Sequence, residues 1–314
     1  MAKLDTYESV TNAIIARLES GVKPWAPRWI TGGAGGGMVM PRRHNGECYR
    51  GINVLLLWAT AEDRGYRAPT WMTFKQALEL GGAVRKGEKG TMIVFFKKLK
   101  ITEQNEAGED QDKQIPMLRT YFVFNVEQID GLPAKYYPAE VELVGGKDRD
   151  EAAEAALRSC GANILERGDK AFYVPSQDYV NMPSFDRFHT ASGYLATLAH
   201  ELVHWTGAKH RLDRDQKGAF GSKDYAAEEL VAEIGAAFIG ARLGFVGEHI
   251  DNHASYLASW LKALKNDKRA IFRAATMAQA AADMVLANAD LAAPVATAEP
   301  VQDVAQPAQL AMAL

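Results

Sequence analysis

The sequence is short of cysteine, of long apolar runs and of net charge, and each shortage removes a class of protein. Only Cys48 and Cys160 occur in 314 residues, far apart and in no CxxC pair. That argues against a disulfide scaffold, and a reduced, intracellular setting is the simplest reading. No run reaches the roughly 18 apolar residues of a membrane span. The start, Met1-Ala2-Lys3-Leu4-Asp5, leads into a charged amphipathic stretch and not a signal peptide. The expected location is therefore the cytoplasm, with no membrane partner. A net charge of −3, with 47% hydrophobic and 24% charged residues, is ordinary for a globular protein. The length is comfortable for two domains.

The near-neutral total hides an asymmetry. Residues 1–100 hold 16 lysines and arginines against 8 acids, a charge of +8, and the rest carries −11. A basic first third beside an acidic remainder suggests a polyanion partner for that third.

Apolar periodicity and breakers divide the chain. Helices are expected over 5–20, about 53–64 (ending before Gly65) and from Phe74 to Gly81-Gly82, the last capped by Thr73. Thr91 to Lys97 and Arg119 to Val126 are β-branched and aromatic, hence strands, with 102–114 between them as a long loop. The Gly-rich stretch at 32–37 is expected to be mobile. The Gly-, Pro- and charge-rich segment 127–148 contains the best domain boundary. A helix is expected at about 149–160. Ala162 to Leu165 and Ala171 to Val174 then flank Glu166-Arg167-Gly168-Asp169 as a hairpin, with Tyr179 to Pro183 as a possible third strand. Long helices follow over about 191–206, 224–243, 251–264 and 267–286. The expected organisation is α+β in two domains, 1–135 and 150–286, joined by a linker at 136–149. The Ala- and Pro-rich residues 287–314 are expected to be a disordered tail.

The most specific motif is His200-Glu201-Leu202-Val203-His204, inside a segment of helical periodicity. Histidines four apart lie one turn above each other, so both imidazoles can meet one ion. Glu201 between them is placed as general base toward a water. Such a pattern arises by chance on the order of 0.01 times in a chain of this composition, so it is read as a site. A catalytic site of this kind needs a third protein ligand and an open position. Glu229 and Glu233, four apart in Glu229-Leu230-Val231-Ala232-Glu233, lie on an otherwise apolar helix face that calls for a cationic partner. The element resembles the ExxA[D/N/E] element of metallopeptidases whose third ligand is glutamate. That resemblance implies Glu229 as ligand and Glu233 as the acceptor orienting a histidine N–H. Glu233 or a solvent-side Glu228 are alternatives. So is His210, because His200, Glu201, His204, Gly207 and His210 also fit HExxHxxGxxH, although no Met-turn signal follows. His249 and His253 read as surface polar residues.

In the first third, cations and aromatics interleave: Lys23, Trp25, Arg28 and Trp29; Arg42, Arg43, Tyr49 and Arg50; Trp71 and Lys75; Arg85, Lys86 and Lys89. Single-stranded nucleic acid needs this combination, cations for phosphates and π faces for unstacked bases. The competing reading is a tryptophan core with a solvated basic face. It holds for Trp58, which continues the apolar run Val54-Leu55-Leu56-Leu57.

Tyr49-Arg50-Gly51-Ile52-Asn53-Val54-Leu55-Leu56-Leu57, Trp71-Met72-Thr73-Phe74-Lys75-Gln76-Ala77, Val84-Arg85-Lys86-Gly87-Glu88-Lys89-Gly90 and Phe124-Asn125-Val126-Glu127-Gln128 resemble the N-terminal domain of ArdC-type antirestriction proteins. The same domain is shared with TraC-type plasmid primases. Leu198 to Gly207 and Glu228 to Glu233 resemble that family's C-terminal metallopeptidase-like domain. The resemblance covers about residues 5–285. It implies a single-stranded-DNA-binding domain and a zincin-like domain that together protect a conjugative plasmid from host restriction. His210 matches no feature of the family.

The expectation is thus single-stranded DNA at residues 1–135. At 150–286, Zn²⁺ or another divalent metal such as Mn²⁺ is held by His200, His204 and Glu229. A peptidase would act on a host restriction enzyme or another protein substrate. Two other readings compete. One is a soluble zinc metalloprotease whose basic domain docks a protein target. The other is a DNA-binding module with a purely structural metal.

Overall fold

The computed structural model describes residues 5–25, 39–104, 110–137, 149–216, 223–245 and 254–289. The Gly-rich stretch 32–37, Arg28, Trp29, His249, His253 and residues 290–314 lie outside them.

The first half opens with helix α1 (Thr6–Glu19), capped by the Asp5 carboxylate, which accepts from the Tyr7 N–H. Strand β1 (Arg42–Arg43), helix α2 (Ile52–Arg64), strand β2 (Thr70–Met72), helix α3 (Phe74–Glu79) and strand β3 (Ala83–Val84) follow. Gly65, at φ 69°, closes α2 in the left-handed conformation that glycine adopts without cost. Thr73 and Gln76 form a capping box on α3. Strands β4 (Thr91–Gln104) and β5 (Asp110–Asn125) make a long antiparallel ribbon, and β6 (Ile129–Asp130) ends the half. The expected loop at 102–114 is therefore corrected: pairing continues to Gln104 and resumes at Asp110. Polar residues hold an antiparallel ribbon when water can reach it. The main sheet has the order β1-β2-β5-β4, and β3 pairs with β6. Asn53 of α2 bonds both the N–H and the C=O of Val94, at 2.8 Å each, docking the helix on edge strand β4. Beyond β6, Ala134–Tyr136 form a 3-10 turn and Tyr136 is buried.

The second half begins with α4 (Glu151–Arg158). Strands β7 (Asn163–Glu166), β8 (Phe172–Val174) and β9 (Tyr179–Met182) precede helices α5 (Ala191–Thr206), α6 (Lys223–Leu243), α7 (Ala254–Asn266) and α8 (Ala270–Val285). The expected 162–174 hairpin does not form. The sheet order is β7-β9-β8, with β7 parallel and β8 antiparallel to β9. The central place goes to β9, whose Val180, Asn181 and Met182 are all buried. Asn181 Nδ2 donates to the carbonyls of Arg167 and Lys170, holding the connection that a hairpin turn would otherwise make.

One apolar cluster draws on both halves. Val10, Leu18, Trp25, Leu55 and Trp58 share it with Phe238, Trp260 and Ala275. The Trp58 ring lies 5.8 Å from that of Phe238, and Trp25 meets Trp260 edge-on at 5.8 Å. Gly51 N–H donates to Gln279 Oε1 at 3.1 Å, and Arg50 pairs with Asp283. Among the described residues no helix is long and apolar enough to cross a membrane.

Helices α5 and α6 meet tightly at Gly235, where a Cβ would lie 2.8 Å from Val203 Cγ2. A valine in a helix has one strongly preferred rotamer and cannot swing aside. Gly235→Ala is therefore expected to destabilise the fold by about 1–3 kcal/mol. The expected readout is a lower melting temperature in calorimetry; an unchanged one would show that the helices separate freely.

Candidate metal centre

The HExxH segment lies in the last two turns of α5, which Thr190 caps through a bond from the Gly193 N–H. The opposing helix α6 is buried nearly all round. Beyond its first turn it therefore presents acids to the interior, and Glu228, Glu229 and Glu233 are all buried.

Three donors converge. His200 Nε2 and His204 Nε2 are 3.2 Å apart. Glu229 Oε2 lies 3.5 Å from the first, and Glu229 Oε1 lies 3.5 Å from the second. A tetrahedral ion with bonds of about 2.1 Å separates its ligand atoms by roughly 3.4 Å, so the triangle has the size of one coordination face. The outward nitrogens have their own carboxylates. His204 Nδ1 is 3.2 Å from Glu228 Oε1, and His200 Nδ1 is 3.8 Å from Glu233 Oε1. The hydrogen bond to Glu228 fixes the His204 tautomer that leaves Nε2 free for an ion, and Glu233 faces His200 from the same side at longer range.

The charges point the same way. Four buried carboxylates, Glu201, Glu228, Glu229 and Glu233, face two basic side chains. Arg214 bonds Glu228 through Nε at 3.0 Å and an NH2 at 2.8 Å, and Lys23 Nζ lies 3.6 Å from Glu233 Oε2. The two remaining negative charges are what a divalent cation neutralises, and buried uncompensated charge is costly. Without an ion the histidines take up that charge. Burial opposes it, but bonds to Glu228 and Glu229 outweigh burial and hold the His204 pKa up at about 10. Glu228 is held down at about 2: burial works against its charge, and His204 and Arg214 prevail. Glu229 is held lower still by the two histidines, again against burial. For Glu201 burial wins and raises its pKa, with the histidines opposing. That direction suits a carboxylate that must accept a proton. The Tyr173 backbone of β8 also hydrogen-bonds Glu201, which places the edge strand beside it.

His210 stands apart from this cluster. Its side chain is 65% exposed and lies 3.4 Å from Asp178 Oδ2 on the turn after α5. Glu228, expected at most on the solvent side, is instead buried against His204. Two residues had no reading in the sequence at all. Tyr225 hydrogen-bonds Glu229 and Tyr256, and burial first, then these bonds, push its phenol well above the usual range. Its position four before Glu229 was the available signal. Arg214 had none, because its role depends on the turn that brings it back under α5.

The nucleic-acid candidates separate. Trp25, Trp71 and Tyr49 are 0%, 1% and 5% exposed, so the structure corrects their expected stacking role: each ring is spent on the core. Lys23 is turned inward to Glu233 and Arg50 is paired with Asp283. Arg43 pairs with Glu47 and lies over the Tyr49 ring, and Arg85 pairs with Glu88 and Asp130. Arg42 is half-buried in β1. Lys75, Lys86 and Lys89 remain exposed.

Residues 151–277 match the family of zincin-like metallopeptidases, and residues 4–124 match the N-terminal domain of the anti-restriction factor ArdC. The chain thus joins a zincin-like metallopeptidase domain to an antirestriction-type N-terminal domain. Crystal structures of the antirestriction protein ArdC from plasmid R388 superpose on it at 46% identity. The metal-free form gives a TM-score of 0.79, covering 91% of this chain and 98% of that one, and the Mn(II)-bound form gives 0.76, covering 91% and 99%. The protein y4eC of Sinorhizobium fredii is 42% identical over 289 residues, 90% of this chain and 92% of its own. The DNA primase TraC of Escherichia coli is 40% identical over 296 residues, but the match spans only 27% of that longer protein. The chain belongs to the ArdC family of antirestriction proteins.

Lys23 comes from the first half yet neutralises an acid of the metal cluster. Lys23→Met is expected to strip Glu233 of that cation, lowering metal-free stability by about 1–2 kcal/mol. It is also expected to enlarge the thermal shift on adding Zn²⁺ or Mn²⁺. Equal shifts for both proteins in differential scanning fluorimetry would mean that the 3.6 Å contact is electrostatically idle.

Proposed function

We propose that this protein binds single-stranded DNA through its first half, shields incoming conjugative plasmid DNA from host restriction, and carries a divalent-metal peptidase in its second half. The triangle of His200, His204 and Glu229 with Glu201 alongside is the observation that carries the enzymatic part. The family membership supports the antirestriction part. The Mn(II)-bound relative and the size of the triangle support Zn²⁺ or Mn²⁺ as the ion.

When bound, the ion would act as a Lewis acid, polarising a carbonyl and making a water easier to deprotonate. The remaining work falls to side chains. Glu201 takes the proton from the attacking water and returns it to the leaving amine, its raised pKa narrowing the gap between the two tasks. Glu228 and Glu233 hold the imidazoles in place through Nδ1. Tyr225, bonded to Glu229, steadies the third ligand. Strand β8 is an edge strand of its sheet, and an extended peptide can pair with such an edge. Its Tyr173 backbone contact to Glu201 would bring that peptide beside the base. The protein substrate would be a restriction enzyme or another host protein.

Two measurements test this. Labelled single- and double-stranded oligonucleotides titrated with the full chain across a salt series are expected to show tighter binding to single strands, weakening steeply with salt. Binding that ignores strandedness and salt would leave the docking-domain protease reading in place. Glu201→Gln is expected to reduce metal-dependent peptide cleavage by at least about 100-fold while leaving metal uptake and DNA affinity intact. Undiminished cleavage would refute the assignment of the base.

A further inference from the structure

With Trp25, Trp71 and Tyr49 in the core, base stacking must come from other rings, and the first half exposes a set of them. Phe74 is 51% exposed, Leu78 55% and Phe122 57%. Contiguous exposed apolar surface of this kind marks an interaction site. The Phe74 ring, at the start of α3, lies 6.4 Å from that of Phe124, at 62° to it. Phe122 is two residues from Phe124 on β5, hence on the same face of the ribbon. Gly90 forms the floor between them: a Cβ there would sit 3.0 Å from Phe122 Cβ and 3.2 Å from Phe124 Cζ. The chain thus places no side chain against Phe122 and Phe124 at this point.

The border of this patch is basic. Lys89 precedes Gly90, Lys86 lies on the same turn at Gly87, and both are exposed with no ion pair among the described residues. Lys75, next to Phe74, is 82% exposed and 3.5 Å from Glu79, a contact that water largely screens. The acid within the turn, Glu88, is already neutralised by Arg85 at 3.0 Å and Arg64 at 3.8 Å. Exposed rings bordered by unspent cations suit a strand that offers both bases and phosphates. Resting on the DNA-binding reading above, we infer that Phe74 and Phe122 form a base-stacking platform for single-stranded nucleic acid, with Lys75, Lys86 and Lys89 contacting its phosphates.

The test compares the full-length wild type with Phe74→Ala/Phe122→Ala on labelled oligo(dT) and on an abasic strand of equal length. Both side chains are more than half exposed, so the double variant is expected to keep the wild-type melting temperature. It should bind oligo(dT) at least about tenfold more weakly, the scale of one or two lost stacks, and lose the preference for oligo(dT) over the abasic strand. The salt slope should not change. Phe122→Trp should restore affinity in the Phe74→Ala background, and Lys86→Gln/Lys89→Gln should lower the salt slope by roughly 0.7 for each phosphate released. Wild-type binding of oligo(dT) that the double variant matches would overturn the platform, leave the DNA reading standing and assign the patch to a protein partner. A wild type that binds no single strand at any salt would remove the DNA reading and the platform with it.

Discussion

The structure depends on the burial of acids between α5 and α6. Four carboxylates without enough cations would not remain in a dry interior. The two helices nevertheless meet closely enough at Gly235 and Val203 that no side chain fits between them. The unmatched negative charge is thereby concentrated where the imidazoles of His200 and His204 converge, and the site is electrostatically incomplete without a divalent cation. Removing protons from the histidines and adding the ion are then one event, so metal uptake and proton release are linked.

The same core explains why the halves are not independent in the folded chain. Trp25 and Lys23 arrive from the segment after α1, pack on Trp260 and reach Glu233, while α2 lies against α8. Trp260 in turn donates from Nε1 to the Ala226 carbonyl at 2.8 Å, on the helix that carries Glu229. The two halves therefore share packing with the helix that carries Glu229. A disturbance at one has a physical route to the other through two or three side chains.

The distribution of aromatics follows from the same economy of burial. Tryptophan removes the most apolar surface from water per residue, and in this chain Trp25, Trp58, Trp71, Trp205 and Trp260 are all buried. Most of the exposed rings among the described residues, Phe74, Phe95, Phe96, Tyr121 and Phe122, lie on the β4–β5 ribbon and α3, where an antiparallel ribbon has more surface than neighbouring elements cover. The interleaving of cations and aromatics along the chain picks out Trp25, Trp71 and Tyr49, which the fold spends on its core.

Much was legible in the sequence because it is local. Helix spans such as Ala191–Thr206, the Thr73 cap and the alignment of His200 with His204 follow from periodicity and turn chemistry within a few residues. The Glu229–Glu233 pair was legible on its apolar face, and the choice of Glu229 within it rested on the resemblance to the ExxA[D/N/E] element. Non-local relations were not. Whether Glu229 or His210 approaches the histidines depends on how α6 returns past α5. The pairing of β7 with β9 depends on which strand is most buried. The inward turn of Lys23 depends on a contact 210 residues away along the chain. The sequence by itself determined which residues could bind an ion and which segments could be helices, since these are properties of spacing. Only the tertiary structure decided which acids meet the histidines and which rings meet water, because burial belongs to the packed chain as a whole.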